Sequence, residues 1–170
     1  HNIPLTVLGA TILWFGWFGF NAGSALSSDG LASLALVNTN AAGAAGGVAW
    51  FLIELASHKK PSAIGVISGS VAGLVSITPA AGYVEPSSAI VIGFIGSGIC
   101  YWAVTYLKPK LGYDDSLDAF GIHGFGGLWG AIGTGIFATT SVNAEGQNGV
   151  LYGSFHLLYS QIISSLIVIA

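Results

Sequence analysis

Six apolar runs separated by short polar breaks constrain this chain more than any other feature: about 5–26, 31–56, 63–81, 89–107, 117–138 and 151–170. Most come close to the roughly twenty residues that an α-helix needs to cross the hydrocarbon of a bilayer. The breaks carry helix-ending chemistry, as in Ser27-Ser28-Asp29-Gly30 and Ser57-His58-Lys59-Lys60-Pro61-Ser62. Lipid is therefore the expected solvent, and the expected fold class is all-α, a polytopic membrane helical bundle. Only 6% of the residues are charged and 53% are hydrophobic, with a mean hydropathy of +0.77; a soluble domain carries about 25% charged residues. No linker or low-complexity region divides the chain.

The fifth run places an ionisable side chain where such groups are costly. In DDSLDAFGIHGFGGLWGAIGTGIFA, from Asp114 to Ala138, Asp118 is the last charge. His123 is expected several residues below the surface, facing a cavity or a partner and not lipid, which makes it a candidate functional residue. A structural histidine hydrogen-bonded between packed helices is the alternative. Ala119, Gly126 and Gly127 lie one turn away on what should be the same face. Gly130, Ala131, Gly133 and Gly135 continue a small-residue spacing that lets helix backbones approach closely. Asp114, Asp115 and Asp118 gather at the expected helix start, where carboxylates cap free N–H groups and suit the positive end of the dipole.

Charge and cysteine usage exclude several classes. The net charge of -3 is spread over loops with no basic patch, so nucleic acid is not an expected partner. Cys100, alone in an apolar run, excludes an internal disulfide and a cysteine-based metal site, and neither a metal nor a cofactor is expected. No Ser, Cys or metal-ligand set accompanies His123, so the chain is not expected to be an enzyme. All four lysines fall in two loops, Lys59 with Lys60 and Lys108 with Lys110. The two loops are two spans apart and so lie on one side, which the positive-inside rule makes cytoplasmic. The first span then runs outward, and the span bearing His123 starts at the cytoplasmic face. The chain has no Met, begins at His1 and stops inside an apolar run at Ala170, so it is expected to be an internal fragment.

The first run holds a second cluster, WFGWFGFNAGSA from Trp14 to Ala25. Trp17, Phe20 and Ser24 stand at i, i+3 and i+7, on one helical face near the outer end. An aromatic face with a hydroxyl at an entrance can hold a small cation by cation–π attraction and a hydrogen bond. An interfacial aromatic belt explains the same residues. Gly16, Gly19 and Gly23 would thin this helix for packing against another. In Ile77-Thr78-Pro79-Ala80-Ala81-Gly82-Tyr83, Pro and Gly end the third run near the outer face. Thr78 can offer its hydroxyl to the same entrance or bond back to its own helix.

These motifs, with LALVNTNAA and GLVSITPAAGY, closely resemble in order and separation the ammonium transporter family (Amt/Mep, with the Rh proteins as relatives). The resemblance runs along nearly the whole chain. It implies an eleven-helix protomer of two inverted five-helix repeats, with residues 1–138 as the second repeat and 151–170, after a loop, as a truncated final helix. It implies that Trp17 and Ser24 belong to an outer ammonium-binding site, with Thr78 near that entrance. Phe20 would be one of two stacked gate phenylalanines, and His123 the second of two paired pore histidines. Asp115, eight residues before that histidine, parallels an acid of the first repeat that helps form the site, and Asp118 is a second supporting acid. Trp17 with Ser24 favours the Amt branch over the Rh branch. A homotrimer in the cell membrane is also implied, as is docking of a PII-type signalling protein on the cytoplasmic face that carries Lys59, Lys60, Lys108 and Lys110.

Elementary energetics fits the implied activity. Ammonium in hydrocarbon pays the full cost of a buried charge, whereas ammonia pays only for unmade hydrogen bonds, so losing the proton at the entrance lowers the barrier. A desolvated imidazole stays neutral and can accept or donate one hydrogen bond to ammonia without repelling it. The residues leave three alternatives open: a gas channel of the Rh kind, electrogenic transport through a histidine relay, and an ammonium sensor coupled to a signalling module.

Overall fold

The computed structural model describes residues 2–170, the His58 side chain excepted. Helices account for all the regular structure among them. We number them α1 (Ile3–Gly23), α2 (Gly30–His58), α3 (Ala63–Ile77), α4 (Pro86–Leu111), α5 (Ala119–Phe137) and α6 (His156–Ile169). A 3-10 turn, Val150–Tyr152, precedes the last helix. Residues Ala103–Leu107 of α4 form a π-helical stretch. On length and composition α1, α2 and α4 can each cross a membrane, and α3 and α6 are shorter apolar helices.

Local chemistry sets the ends. Asp29 caps α2 by accepting a hydrogen bond from Ala32 N at 3.0 Å, and Ser62 caps α3 by accepting one from Gly65 N at 2.9 Å. Pro86 occupies the first turn of α4, where its missing N–H costs nothing. Gly112, at φ 68°, ends that helix in the left-handed conformation that glycine adopts without strain.

The third apolar run extends to residue 81, but α3 stops at Ile77. Pro79 has no N–H for the next helical bond, so Thr78 N turns in to Val75 O and the chain continues as a turn to Tyr83. Two further starts fall later than the hydropathy suggests. Helix α5 begins at Ala119 and not 117, with Leu117 86% exposed ahead of it, and α6 begins at His156 and not 151.

Helix α2 is the central element, packed against α3 and α4; α1 lies on α2 and α3, α5 on α3 and α4, and α6 on α5. Glycines make the inner contacts close. A Cβ on Gly46 would strike Gly73 and the Gly69 carbonyl, and one on Gly93 would strike the Ala42 backbone. Helices are drawn together in lipid by such van der Waals contact, because burial from water no longer drives them. The sequence assigned this role to the small residues of α5, where a Cβ on Gly130 would strike the Ser76 carbonyl and one on Gly135 would strike Leu158, and to Gly16, Gly19 and Gly23 of α1. A Cβ on any of those three would meet nothing within 4 Å, so in this chain they do not thin α1 against a neighbour. One core cluster gathers Ala42, Ile77, Val84 and Ile92, and a second gathers Trp50, Val75, Cys100 and Ile122. The outer face of α1 remains bare, with Phe15 76% exposed.

Candidate functional site

Where α1, the end of α3 and the start of α5 converge they leave an open cavity of about 650 Å³. Trp17, Phe20, Thr78 and His123 line it together with apolar residues such as Val75 and Pro79. The Trp17 indole Nε1–H donates to Thr78 Oγ1 at 2.8 Å, and that hydroxyl donates to the Leu74 carbonyl at 2.8 Å. Thr78 thus bonds back to its own helix and also meets Trp17 of α1. The Trp17 ring meets Phe20 edge-on, with centroids 6.1 Å apart, and lies 6.3 Å from the His123 ring.

Phe20 and Thr78 also line a second, smaller hollow of about 210 Å³, shared with Asn21, Ser24, Tyr83 and Asn143. Ser24, just beyond the last residue of α1, donates its hydroxyl to Phe20 O at 2.7 Å and keeps lone pairs free to accept. Trp17 and Ser24, expected at one site, line adjoining hollows that share Phe20 and Thr78.

His123 is not enclosed among Ala119, Gly126 and Gly127, as the sequence suggested; its side chain is exposed in this chain. Gly127 does line its cavity, but Gly126 is buried against Val75 and Cys100, on the side of α5 that packs on α3 and α4. His123 Nδ1 lies 3.0 Å from Ala119 O. A carbonyl can only accept, so Nδ1 carries the hydrogen, and in a neutral ring Nε2 is then the acceptor. A further open hollow joins His123 to Ser164 and Ser165 of α6.

The acids at the start of α5 divide their work. Asp115 accepts hydrogen bonds from Phe120 N at 3.2 Å and Gly121 N at 3.0 Å, the capping role expected of it. Burial pushes its carboxyl up, but the N–H groups of Gly121, Phe120 and Ala119 and the charge of Lys108 outweigh that and hold it below the ordinary carboxylate value. Asp118 does not cap. It takes a left-handed conformation at φ 56° and accepts a hydrogen bond from Lys108 Nζ at 2.7 Å; Lys108 also donates to Asp115 O at 2.6 Å. Neither carboxylate is directed at His123. Lys108 thereby clamps the segment ahead of α5. Among the described residues no group of three or more His, Cys, Asp or Glu side chains could hold a metal ion.

Sequence reasoning did not single out Asn21, Tyr83 and Asn143, which line the smaller hollow; the place of Asn143 beside Tyr83 depends on how the last loop folds back.

Six apolar helices, three of them long and apolar enough to cross a membrane, mark a multi-pass membrane protein. The chain belongs to the Ammonium Transporter Family, whose model matches residues 1–170. It is 56% identical over 164 residues to an ammonium transporter of Bacillus subtilis, covering 96% of this chain and 41% of that protein. It is 49% identical to the ammonium transporter Amt1 of Archaeoglobus fulgidus, over 96% of this chain and 41% of that one. The crystal structure of Saccharomyces cerevisiae Mep2 superposes with a TM-score of 0.92 at 39% identity, covering 98% of this chain and 41% of that one. The chain thus spans about two fifths of the length of these relatives.

Proposed function

We propose that this chain supplies half of the path of a transmembrane ammonium transporter, with residues 1–138 as the second of two inverted repeats and the stretch from 151 as part of the final helix. The observation that carries the reading is the meeting of Trp17, Phe20, Thr78 and His123, from three helices, around one apolar cavity. Ammonium is held in the outer hollow, where the Ser24 hydroxyl accepts one of its hydrogens and the Phe20 ring offers a π face. Phe20 separates that hollow from the deeper cavity and acts as the gate. Beyond it the proton is lost, because a charge in an apolar cavity pays a Born cost that neutral ammonia avoids. His123 Nε2 then accepts a hydrogen bond from ammonia as it passes. The Trp17 indole, its N–H held by Thr78, presents its ring as the apolar wall opposite. Asp115 supports the site at one remove by fixing the start of the helix that carries His123, and Asp118 does so through Lys108.

The names of the relatives favour transport over sensing. A homotrimer is proposed on the same family ground. The face carrying Lys59, Lys60 and Lys110 is proposed as cytoplasmic and as the docking surface for a PII-type protein, with Lys108 contributing to the clamp and not to the contact. The test is His123→Ala in the full-length protein in liposomes, read as ammonium flux and current per assembled molecule. We expect altered conduction or ion selectivity with the half-saturating ammonium concentration little changed. Normal flux and current per molecule, with less folded protein, would make His123 a structural residue and sink the reading.

A further inference from the structure

The turn between α3 and α4 forms one wall of the outer hollow through Gly82 and Tyr83. Four consecutive carbonyls of that turn are each held from outside it. Asn38 Nδ2 donates to Ala81 O and to Val84 O, both at 2.8 Å. Between them, Asn143 Nδ2 donates to Gly82 O at 3.2 Å and Thr139 N donates to Tyr83 O at 2.9 Å. Ala81 and Val84, at the two ends of the turn, are buried away from water, so the donors for their carbonyls must come from the protein. The two ends of the turn depend on one side chain, and that side chain comes from the central helix.

We infer that Asn38 is a positioning residue for the outer hollow: its two N–H groups fix both ends of the Ala81–Val84 turn and so set the distance between Tyr83 and the wall formed by Phe20 and Ser24. Three observations support this. Asn38 is fully buried, as are Val84 and nearly all of Ala81, so the contact is not a surface accident. Both neighbours are carbonyls, which fixes the amide with its NH₂ toward them. The orientation leaves Asn38 Oδ1 buried with no partner. An unpaired buried oxygen is destabilising, so a smaller or apolar residue would fit position 38 better if the two donors were not needed. The adjacent Thr39 fixes the opposite wall, since its hydroxyl accepts from Asn21 Nδ2 at 2.9 Å and Asn21 follows Phe20 on α1. Helix α2 therefore sets the width of the hollow from both sides.

This inference rests on the hollow being where ammonium is first held, so the test carries a reference variant. In the full-length protein in liposomes, Asn38→Leu removes both donors, Asn38→Ser keeps at most one, and Ser24→Ala alters the hollow directly. The readouts are the half-saturating ammonium concentration, the maximal rate per assembled molecule and the preference for ammonium over methylammonium. We expect Asn38→Leu to raise the half-saturating concentration about tenfold, equivalent to about 1.4 kcal/mol, and Asn38→Ser about threefold. Both should keep the maximal rate and lose discrimination against methylammonium, because the hollow has widened. If Asn38→Leu does not assemble, the Asn38→Ser variant decides. A half-saturating concentration unchanged in Asn38→Ser but raised in Ser24→Ala overturns the role of Asn38 alone. No change in Ser24→Ala overturns the assignment of the hollow itself, and a fall in assembled protein with normal constants reduces Asn38 to a folding residue.

Discussion

Thr78→Val is the most informative single substitution in the cavity that Trp17 and His123 share. Valine keeps the shape of threonine but neither accepts nor donates, so it strands two groups at once. One is the Trp17 N–H, and the other is the Leu74 carbonyl, in a residue only 1% exposed. Leaving a buried group unpaired costs about 1–3 kcal/mol, whereas the net worth of one intact bond is about 0.5–1.5 kcal/mol. Stability loss alone would therefore not report on the path. A double-variant cycle with Trp17→Phe isolates the bond, because phenylalanine keeps an aromatic wall but has no N–H, and the stranded Leu74 carbonyl is common to both backgrounds. If the bond holds Trp17 in place while ammonia passes, Thr78→Val lowers flux by about twofold to tenfold when Trp17 is intact and by less in the Trp17→Phe background. The expected coupling is about 0.5–1.5 kcal/mol. The assay is ammonium flux into liposomes per assembled full-length molecule. Additive effects, within about 0.3–0.5 kcal/mol, would show that the bond does not organise the path.

The start of α5 yields a pH prediction. Because the Asp115 carboxyl is held below its ordinary value of 3.8, its contribution to stability is fully present above that value and is lost as pH falls through the lowered one. Amide exchange at Phe120 and Gly121 should stay slow from neutral pH down to about that point and then accelerate; equally slow exchange in Asp115→Ala would refute the cap. Lys108→Met should release Asp118 and the Asp115 carbonyl, speed exchange across Ala119–Gly121 and lower flux without changing the half-saturating concentration, and a shift in that concentration instead would contradict it. Gly46→Ala and Gly93→Ala drive Cβ atoms into facing backbone and should each destabilise the assembled protein by about 1–3 kcal/mol in thermal unfolding. Gly9→Ala, with nothing within 4 Å, should be tolerated, and equal losses at all three positions would show that helix contact is not the cause.

The spans and their breaks were legible in the sequence because lipid allows so few solutions. Backbone polar groups in hydrocarbon must pair internally, so each long apolar run becomes a helix, and Asp29, Ser62 and Pro86 mark starts by local bonding that needs no distant partner. Trp17, Phe20, Thr78 and His123 could also be singled out one by one, each as a polar or aromatic group in an unusual place. Their meeting around one cavity could not, since Trp17 and Thr78 are 61 positions apart and share no local pattern.

What the sequence determined by itself is therefore the class of structure, the order of the helices, and family membership through the spacing of its motifs. Tertiary structure decided the rest, because partner choice depends on which faces the packed helices turn toward each other. It gave Lys108 to Asp118 and brought Trp17 to Thr78, with Phe20 and His123 on the wall of the same cavity. It also placed close glycine contacts between α2 and its neighbours α3 and α4, beside those of Gly130 and Gly135 on α5, and none at Gly16, Gly19 and Gly23 of α1. A glycine in an apolar run reads the same whether its bare face meets a backbone or open space, and only the packed bundle distinguishes the two.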